Sequence, residues 1–240
     1  MSQIETVHII ARMNLGGTSQ YLESLLSDQK KWVLVTGCVQ EGELESPSLA
    51  KIPHFRIPSL GRRISLLNDV RAYLELRKLI FNLKPKIIHT HTFKAGILGR
   101  LIRGNFKKVH TYHGHLFTHK EFNKLKILLI IWIEKILSNF TDAFISIGNK
   151  TEIEFKNRGI GLNKKWFSIP PGITKPKSLS KIEARKILNL NPKSFYIGWL
   201  GRIVEVKNPY LLVSIAEKIP QINFVVGGNG PLFEKVKGLA

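Results

Sequence analysis

Lys86-Ile87-Ile88-His89-Thr90-His91-Thr92-Phe93-Lys94-Ala95-Gly96 and, a little further on, Val109-His110-Thr111-Tyr112-His113-Gly114-His115 are two short β-branched runs that break into polar residues and glycine. That is the pattern of buried parallel strands, each delivering side chains to a loop at its carboxyl end. In open α/β sheets ligands bind at that end. Six of the eight histidines (His89, His91, His110, His113, His115 and His119) fall in this window, which makes it the first candidate for chemistry. The two-residue period of a strand puts His89 and His91 on the same side.

Working outward, Thr6-Val7-His8-Ile9-Ile10 reads as a first strand, followed by the turn Asn14-Leu15-Gly16-Gly17-Thr18. A helix is expected over residues 19–28, capped by Thr18 or Ser19. Residues 31–36 read as a second strand, 37–50 as a polar loop and 54–58 as a short third strand. From Leu66 to Leu83 the set Leu66, Leu67, Val70, Tyr73, Leu74, Ile80 and Leu83 follows helical spacing, and Pro85 stops it. A helix over 94–103 separates the two histidine strands. Residues 123–139 contain the run Ile127-Leu128-Leu129-Ile130-Ile131-Trp132-Ile133 among lysines, far short of the ~20 apolar residues that cross a bilayer. Two readings stay open for it: a buried packing helix, or one that also touches a membrane interface through its lysines and Trp132. Strands at 142–147 and 166–169 flank a helix at 150–157. The proline-rich segment 170–180 reads as a linker. Beyond it the alternation restarts with helix 181–188, strand 195–200, helix 209–218, strand 223–226 and a helix from Pro231. Strands alternating with helices throughout argue for parallel sheets covered on both faces.

The balance of 37 Lys and Arg against 17 Asp and Glu gives a net charge of +20, a surplus that asks for an anionic partner: nucleic acid, an anionic membrane or a phosphorylated small molecule. The stretch from Arg100 to Asn139 alone carries eight basic residues against Glu121 and Glu134. A nucleic-acid binder would show a basic stripe interleaved with aromatics or a known module, and neither is present. With one cysteine, Cys38, and no basic and apolar leader at the N-terminus, the chain reads as cytoplasmic.

His-x-His pairs invite a metal reading. The metallo-hydrolase pattern continues His-x-His-x-Asp-His, whereas Thr92, Phe93 and Lys94 follow His91, so no metal is expected. The glycine pair Gly16-Gly17 at a helix start lets backbone N–H groups approach an anion. In the second half, Gly198-Trp199-Leu200-Gly201-Arg202, Lys207 and Val226-Gly227-Gly228-Asn229-Gly230-Pro231 end two strands. Arg202 offers a bidentate fork and Lys207 a point charge, the chemistry a departing diphosphate needs.

Taken in order and spacing, Asn14-Leu15-Gly16-Gly17, the His89–Arg100 stretch, His110 to His115, Pro170-Pro171-Gly172, Gly201-Arg202 with Lys207-Asn208, and Gly228-Asn229-Gly230-Pro231 resemble the retaining glycosyltransferases of family 4, in particular bacterial enzymes of surface-polysaccharide assembly. The resemblance spans nearly the whole chain. It implies an α/β glycosyltransferase B (GT-B) fold of two Rossmann-like doubly wound parallel-sheet domains, the second incomplete: 1–172, a linker at 173–180, and a partial nucleotide-sugar domain at 181–240. The activity it implies is transfer of a sugar from a nucleotide-sugar donor to an acceptor hydroxyl with retention, the acceptor being lipid-linked or another glycan. The nucleotide-sugar is a substrate, and no cofactor or metal is implied. By the resemblance, Gly16 and Gly17 line the cleft beside the donor phosphate and His113 sits near the transferred sugar as the catalytic position. Gly201, Arg202 and Lys207 bind the diphosphate, while Asn14, His91, Lys94 and Gly228 surround the cleft. It also implies a peripheral position on the inner face of a membrane, with an anionic surface as partner. The family pattern continues with two glutamates separated by seven residues, and this sequence has no counterpart to them. The expectation is therefore a chain that does not turn over alone; the alternative reading is a fragment or split half that needs a partner.

Overall fold

The computed structural model describes residues 4–27, 31–61, 63–114, 117, 123–172 and 178–239. The chain divides into two compact units, Met1–Thr174 and Lys175–Ala240. Residues 173–177 of the expected linker lie outside the described residues, as do His115 and His119.

The first unit holds seven parallel strands: β1 (Thr6–Ile10), β2 (Trp32–Thr36), β3 (His54–Arg56), β4 (Ile87–His91), β5 (Lys107–Tyr112), β6 (Ala143–Ser146) and β7 (Lys165–Ser168). Their order is β3-β2-β1-β4-β5-β6-β7, so the sheet grows one way from β1, then the other way from β4. The reversal makes the crevice between the carboxyl ends of β1 and β4 the topological switch point. The helices are α1 (Gly17–Leu26), α2 (Leu66–Leu83), α3 (Phe93–Leu101), α4 (Lys124–Asn139) and α5 (Asn149–Lys156).

Register assigns the two faces. Ile9, Thr90, His110, Phe144 and Trp166 form a row on one face, covered by α2 and α3 over β1, β2 and β4 and by α4 and α5 over β5 and β6. Ile10, His91, Thr111, Ile145 and Phe167 form the adjacent row on the other. There α1 and the 3₁₀ turn Pro47–Lys51, which closes the expected 37–50 loop, pack against β1 and β2. Cover thins along that row, from buried Thr111 through half-buried Ile145 to exposed Phe167.

α2 has the bounds its periodicity predicts, with Lys84 in the left-handed conformation as C-cap before Pro85. Its buried stripe is different: Ala72, Leu76 and Ile80 face the sheet, while Leu66, Leu67, Val70 and Leu74 are exposed. The helix is apolar around more of its circumference than the sheet can cover. α4 behaves likewise, burying Ile130, Glu134 and Leu137 and exposing Leu125, Leu128, Leu129 and Trp132.

The second unit is one βαβ with flanking helices: α6 (Lys181–Ile187), β8 (Tyr196–Leu200), α7 (Pro209–Lys218), β9 (Asn223–Gly227) and α8 (Phe233–Lys237). β8 and β9 pair in parallel, Tyr196 with Asn223 through Leu200 with Gly227. Among its described residues only Ile203, Pro209 and Val236 are buried, so its core is thin.

Candidate functional site

At the end of β1 the chain is tied down before it turns. Asn14 bridges Glu45, the Leu15 N–H donates to the Leu44 carbonyl and the Ser46 N–H to the Met13 carbonyl. Arg12 meets Glu43 through both Nε and Nη2. The helix that follows starts two residues earlier than expected, with Gly16 as N-cap and Gly17 as its first residue. Ser19, one of the two expected caps, instead takes the Gly16 N–H at 3.2 Å and donates to the Asn14 carbonyl at 2.9 Å. Among the described residues no side chain accepts from the N–H groups of Gly17, Thr18 or Ser19, so these donors are left for a ligand, and a Cβ placed on Gly17 would meet nothing within 4 Å.

Across the switch point, β4 ends on His91 and turns through Thr92, a β-branched residue at φ 67°, ψ 156°. That region is close to glycine-only and stores on the order of 1–3 kcal/mol of strain. The Thr92 hydroxyl reaches back to the Ala11 N–H at 3.5 Å.

The histidines of the window separate into two groups. His110 faces the helix side, held by Thr90 Oγ1 at 2.8 Å. On the other face His89 Nε2 meets Thr111 Oγ1 at 2.7 Å, and His91 lies between two further histidines. His91 Nε2 is 3.1 Å from His8 Nδ1, and His91 Nδ1 is 3.1 Å from His113 Nε2. Tyr21 of α1 meets the His113 ring edge-on at 4.8 Å. His8 is the member of this cluster that reading the sequence misses. Its signal is a histidine set among Val7, Ile9 and Ile10 of β1, which register places opposite His89.

Burial pushes His8 and His113 down to about 4. Burial, then neighbouring histidines, holds His89 and His91 well below the ordinary imidazole range. The rings are therefore neutral at pH 7. Nitrogens of His8, His89 and His91 all lie within 4.8 Å of one another, close enough for a divalent ion. His8 Nδ1 and His91 Nε2 face each other, His91 Nδ1 faces His113 and His89 Nε2 faces Thr111, and no carboxylate joins the set among the described residues.

The Lys94 ammonium pairs with Asp69 in the first turn of α2 and donates to the Arg63 carbonyl, so its charge ties α2 to α3.

In the second unit the loop after β8 and the loop after β9 hold each other. Gly201 N–H donates to the Gly227 carbonyl and Ile203 N–H to the Asn229 carbonyl. Gly228, at φ 144°, would put a Cβ 1.8 Å from the Gly201 carbonyl oxygen. Its glycine is demanded by loop packing. Lys207 ends the 3₁₀ turn Glu205–Lys207 and does not start a helix. Arg202 and Lys207 are both exposed, and neither side chain has a partner among the described residues.

The profile of Glycosyltransferase Family 4 matches residues 15–175. A UDP-Gal:alpha-D-GlcNAc-diphosphoundecaprenol alpha-1,3-galactosyltransferase of Escherichia coli is 31% identical over 98% of this chain and 65% of its own length. The O-antigen biosynthesis glycosyltransferase WbnH of Escherichia coli is 24% identical over 95% of this chain and 64% of its own. The chain thus spans about 65% of the length of these curated relatives. Among solved structures, Anabaena HepE in complex with UDP and glucose superposes with a TM-score of 0.72 at 16% identity, over 98% of this chain and 64% of that one. Sucrose-phosphate synthase from Thermosynechococcus elongatus gives 0.70 at 18%, over 98% and 67%. These two share the fold. With the profile covering most of the first unit, including the open helix start and both histidine strands, the chain belongs to glycosyltransferase family 4.

Proposed function

We propose that the chain takes part in transferring a sugar from a nucleotide-sugar to the hydroxyl of a lipid-linked glycan precursor, with retention. The observation that carries this reading is the uncapped start of α1 at Gly16-Gly17, set across the switch point from the strand ends that bring in His91 and His113. A departing nucleoside diphosphate gains negative charge, and backbone N–H groups at a helix N-terminus are fixed donors for it. Within the second unit, Arg202 and Lys207, exposed and unpaired among the described residues, carry the charges that suit a diphosphate. His113, neutral at pH 7, suits a hydrogen bond to a sugar oxygen better than a charged role. The Escherichia coli relative is named for UDP-galactose and a diphosphoundecaprenol acceptor, which favours a UDP-hexose and a polyprenyl-diphosphate-linked sugar here.

Such an acceptor lives in a membrane, and α4 is suited to reach one. Leu125, Leu128, Leu129 and Trp132 are exposed beside Lys124, Lys126 and Lys135, an amphipathic surface for an anionic bilayer. No described helix is long and apolar enough to cross a membrane. Arg100 and Glu134, counted among the charges of this stretch, are buried against each other and add nothing to its surface.

Calorimetry with UDP tests the donor site. Wild type is expected to bind, and Arg202→Ala to weaken binding by about 1.5–3 kcal/mol, the scale of a charge-assisted hydrogen bond. Equal affinity of the two proteins removes Arg202 from the site. Absence of binding to UDP and to a panel of nucleotide-sugars overturns the transferase reading for this chain.

A further inference from the structure

His8, His91 and His113 form a row closed by two N···N contacts of 3.1 Å. A neutral imidazole carries one N–H, and each contact needs one donor facing one lone pair. Three rings and two contacts then allow only two arrangements. In the outward one each ring is protonated on Nδ1: His8 donates to His91, His91 to His113, and His113 is left with a free Nδ1–H. In the inward one each is protonated on Nε2, and the free N–H lies on His8.

The surroundings choose between them. The His8 side chain is buried on β1, and its Nε2 has no acceptor among the described residues. An orphaned buried N–H is rarer and costlier than an orphaned lone pair. The other end of the row differs: His113 is only half-buried, so a free N–H there has access to a partner that one on His8 lacks. The titratable side chains around the row are His89 of β4, His110 of β5 and Tyr21 of α1, and among the described residues no carboxylate contributes to the environment of these rings.

We propose that His8 and His91 are positioning residues that hold His113 in its Nδ1–H tautomer, so that this loop histidine meets a substrate oxygen as a hydrogen-bond donor and not as a base. The oxygen-bearing substrate rests on the transferase reading above; the tautomer does not. The partner of a ring nitrogen sets which nitrogen keeps the proton, so a residue two rings away controls what His113 offers.

The test is a two-bond ¹H–¹⁵N spectrum of the full chain labelled with ¹⁵N-histidine at pH 7, with His113 assigned through His113→Gln. The expected wild-type result is a single Nδ1–H tautomer at His113. His8→Asp, which offers only an acceptor where His8 Nδ1 donates, should reverse the row through His91 and leave His113 protonated on Nε2, while His8→Asn, which can present an amide donor there, should keep the Nδ1–H tautomer. A wild-type His113 protonated on Nε2 overturns the proposal, as does an unchanged His113 in a folded His8→Asp. If His8→Asp does not fold, the wild-type spectrum still decides the direction of the row. No ligand enters this measurement, so its failure is distinct from a failure to bind UDP.

Discussion

On the helix-covered face of the sheet, Arg100 and Glu134 are both fully buried and meet through two contacts of 2.9 Å, with the Tyr112 hydroxyl donating to the same carboxylate at 2.6 Å. On the opposite face His8, His89 and His91 are also buried, with only neutral groups beside them among the described residues. The first arrangement keeps its charges because each has a fixed partner. Burial disfavours the Arg100 guanidinium, and Glu134 and Tyr112 more than offset it, holding it above its ordinary value. The second sheds charge, since an imidazole can give up its proton at little expense near neutrality and a guanidinium cannot. One sheet therefore contains an ion pair that is costly to halve and a histidine row that is costly to acidify.

Halving the pair should have the largest effect. Glu134→Leu leaves Arg100 buried without a counter-charge and is expected to cost about 3–5 kcal/mol in urea unfolding. The double variant Arg100→Met with Glu134→Leu should recover most of that loss, because a well-packed apolar replacement removes the orphaned charge as well. A single variant within about 1 kcal/mol of wild type would mean that the pair is not sealed from water.

Acid sharpens the contrast from the other face. A histidine whose folded pKa lies below its unfolded value binds fewer protons folded, so its contribution is fully present above pH 6.5 and is lost as pH falls toward the folded value. His8, taken from 6.5 to about 4, should cost about 2 kcal/mol of stability between pH 6.5 and pH 5, at about 1.36 kcal/mol per pH unit. Urea midpoints at pH 7.5 and pH 5 should therefore lie closer together in His8→Leu than in wild type. Identical acid sensitivity in the two would show that His8 is protonated as easily folded as unfolded.

The smallest effect belongs to the outer surface of the helix layer. Trp132→Ser on α4 should change stability within about ±0.5 kcal/mol, as exposed positions do, while lowering sedimentation with anionic vesicles at low salt. Loss of stability beyond that range would place Trp132 in the packing of the unit. Equal sedimentation with neutral and anionic vesicles would instead remove the electrostatic part of the membrane reading.

The sequence was most legible where structure is local. The bounds of α2, set by periodicity and Pro85, and those of α7, opened by Pro209 after Asn208, coincide with the structure. The shared side of His89 and His91 follows from strand geometry alone and also holds. Legibility failed where an answer depends on what lies across the chain. The exposed leucines of α2 fit a helical stripe as well as Ala72, Leu76 and Ile80 do, and only the sheet beneath selects between them. Gly16 as the cap of α1 depends on where the Ser19 hydroxyl turns. Lys94 looks like a cleft cation until Asp69, 25 positions earlier, is found against it.

By itself the sequence determined the alternation of strands and helices, the parallel sheet that alternation requires, and the family, because each rests on patterns repeated within a few residues or on motif order along the chain. The partners of the buried polar groups were decided only by the tertiary structure. His8 and His91 are 83 positions apart and Arg100 and Glu134 are 34 apart. Nothing in either local stretch names the other, since strand order and helix packing bring them together. Which buried groups keep a charge and which lose it follows from that contact, because the stability of a charge in a protein interior depends on what stands within a few ångströms of it and not on its neighbours in sequence.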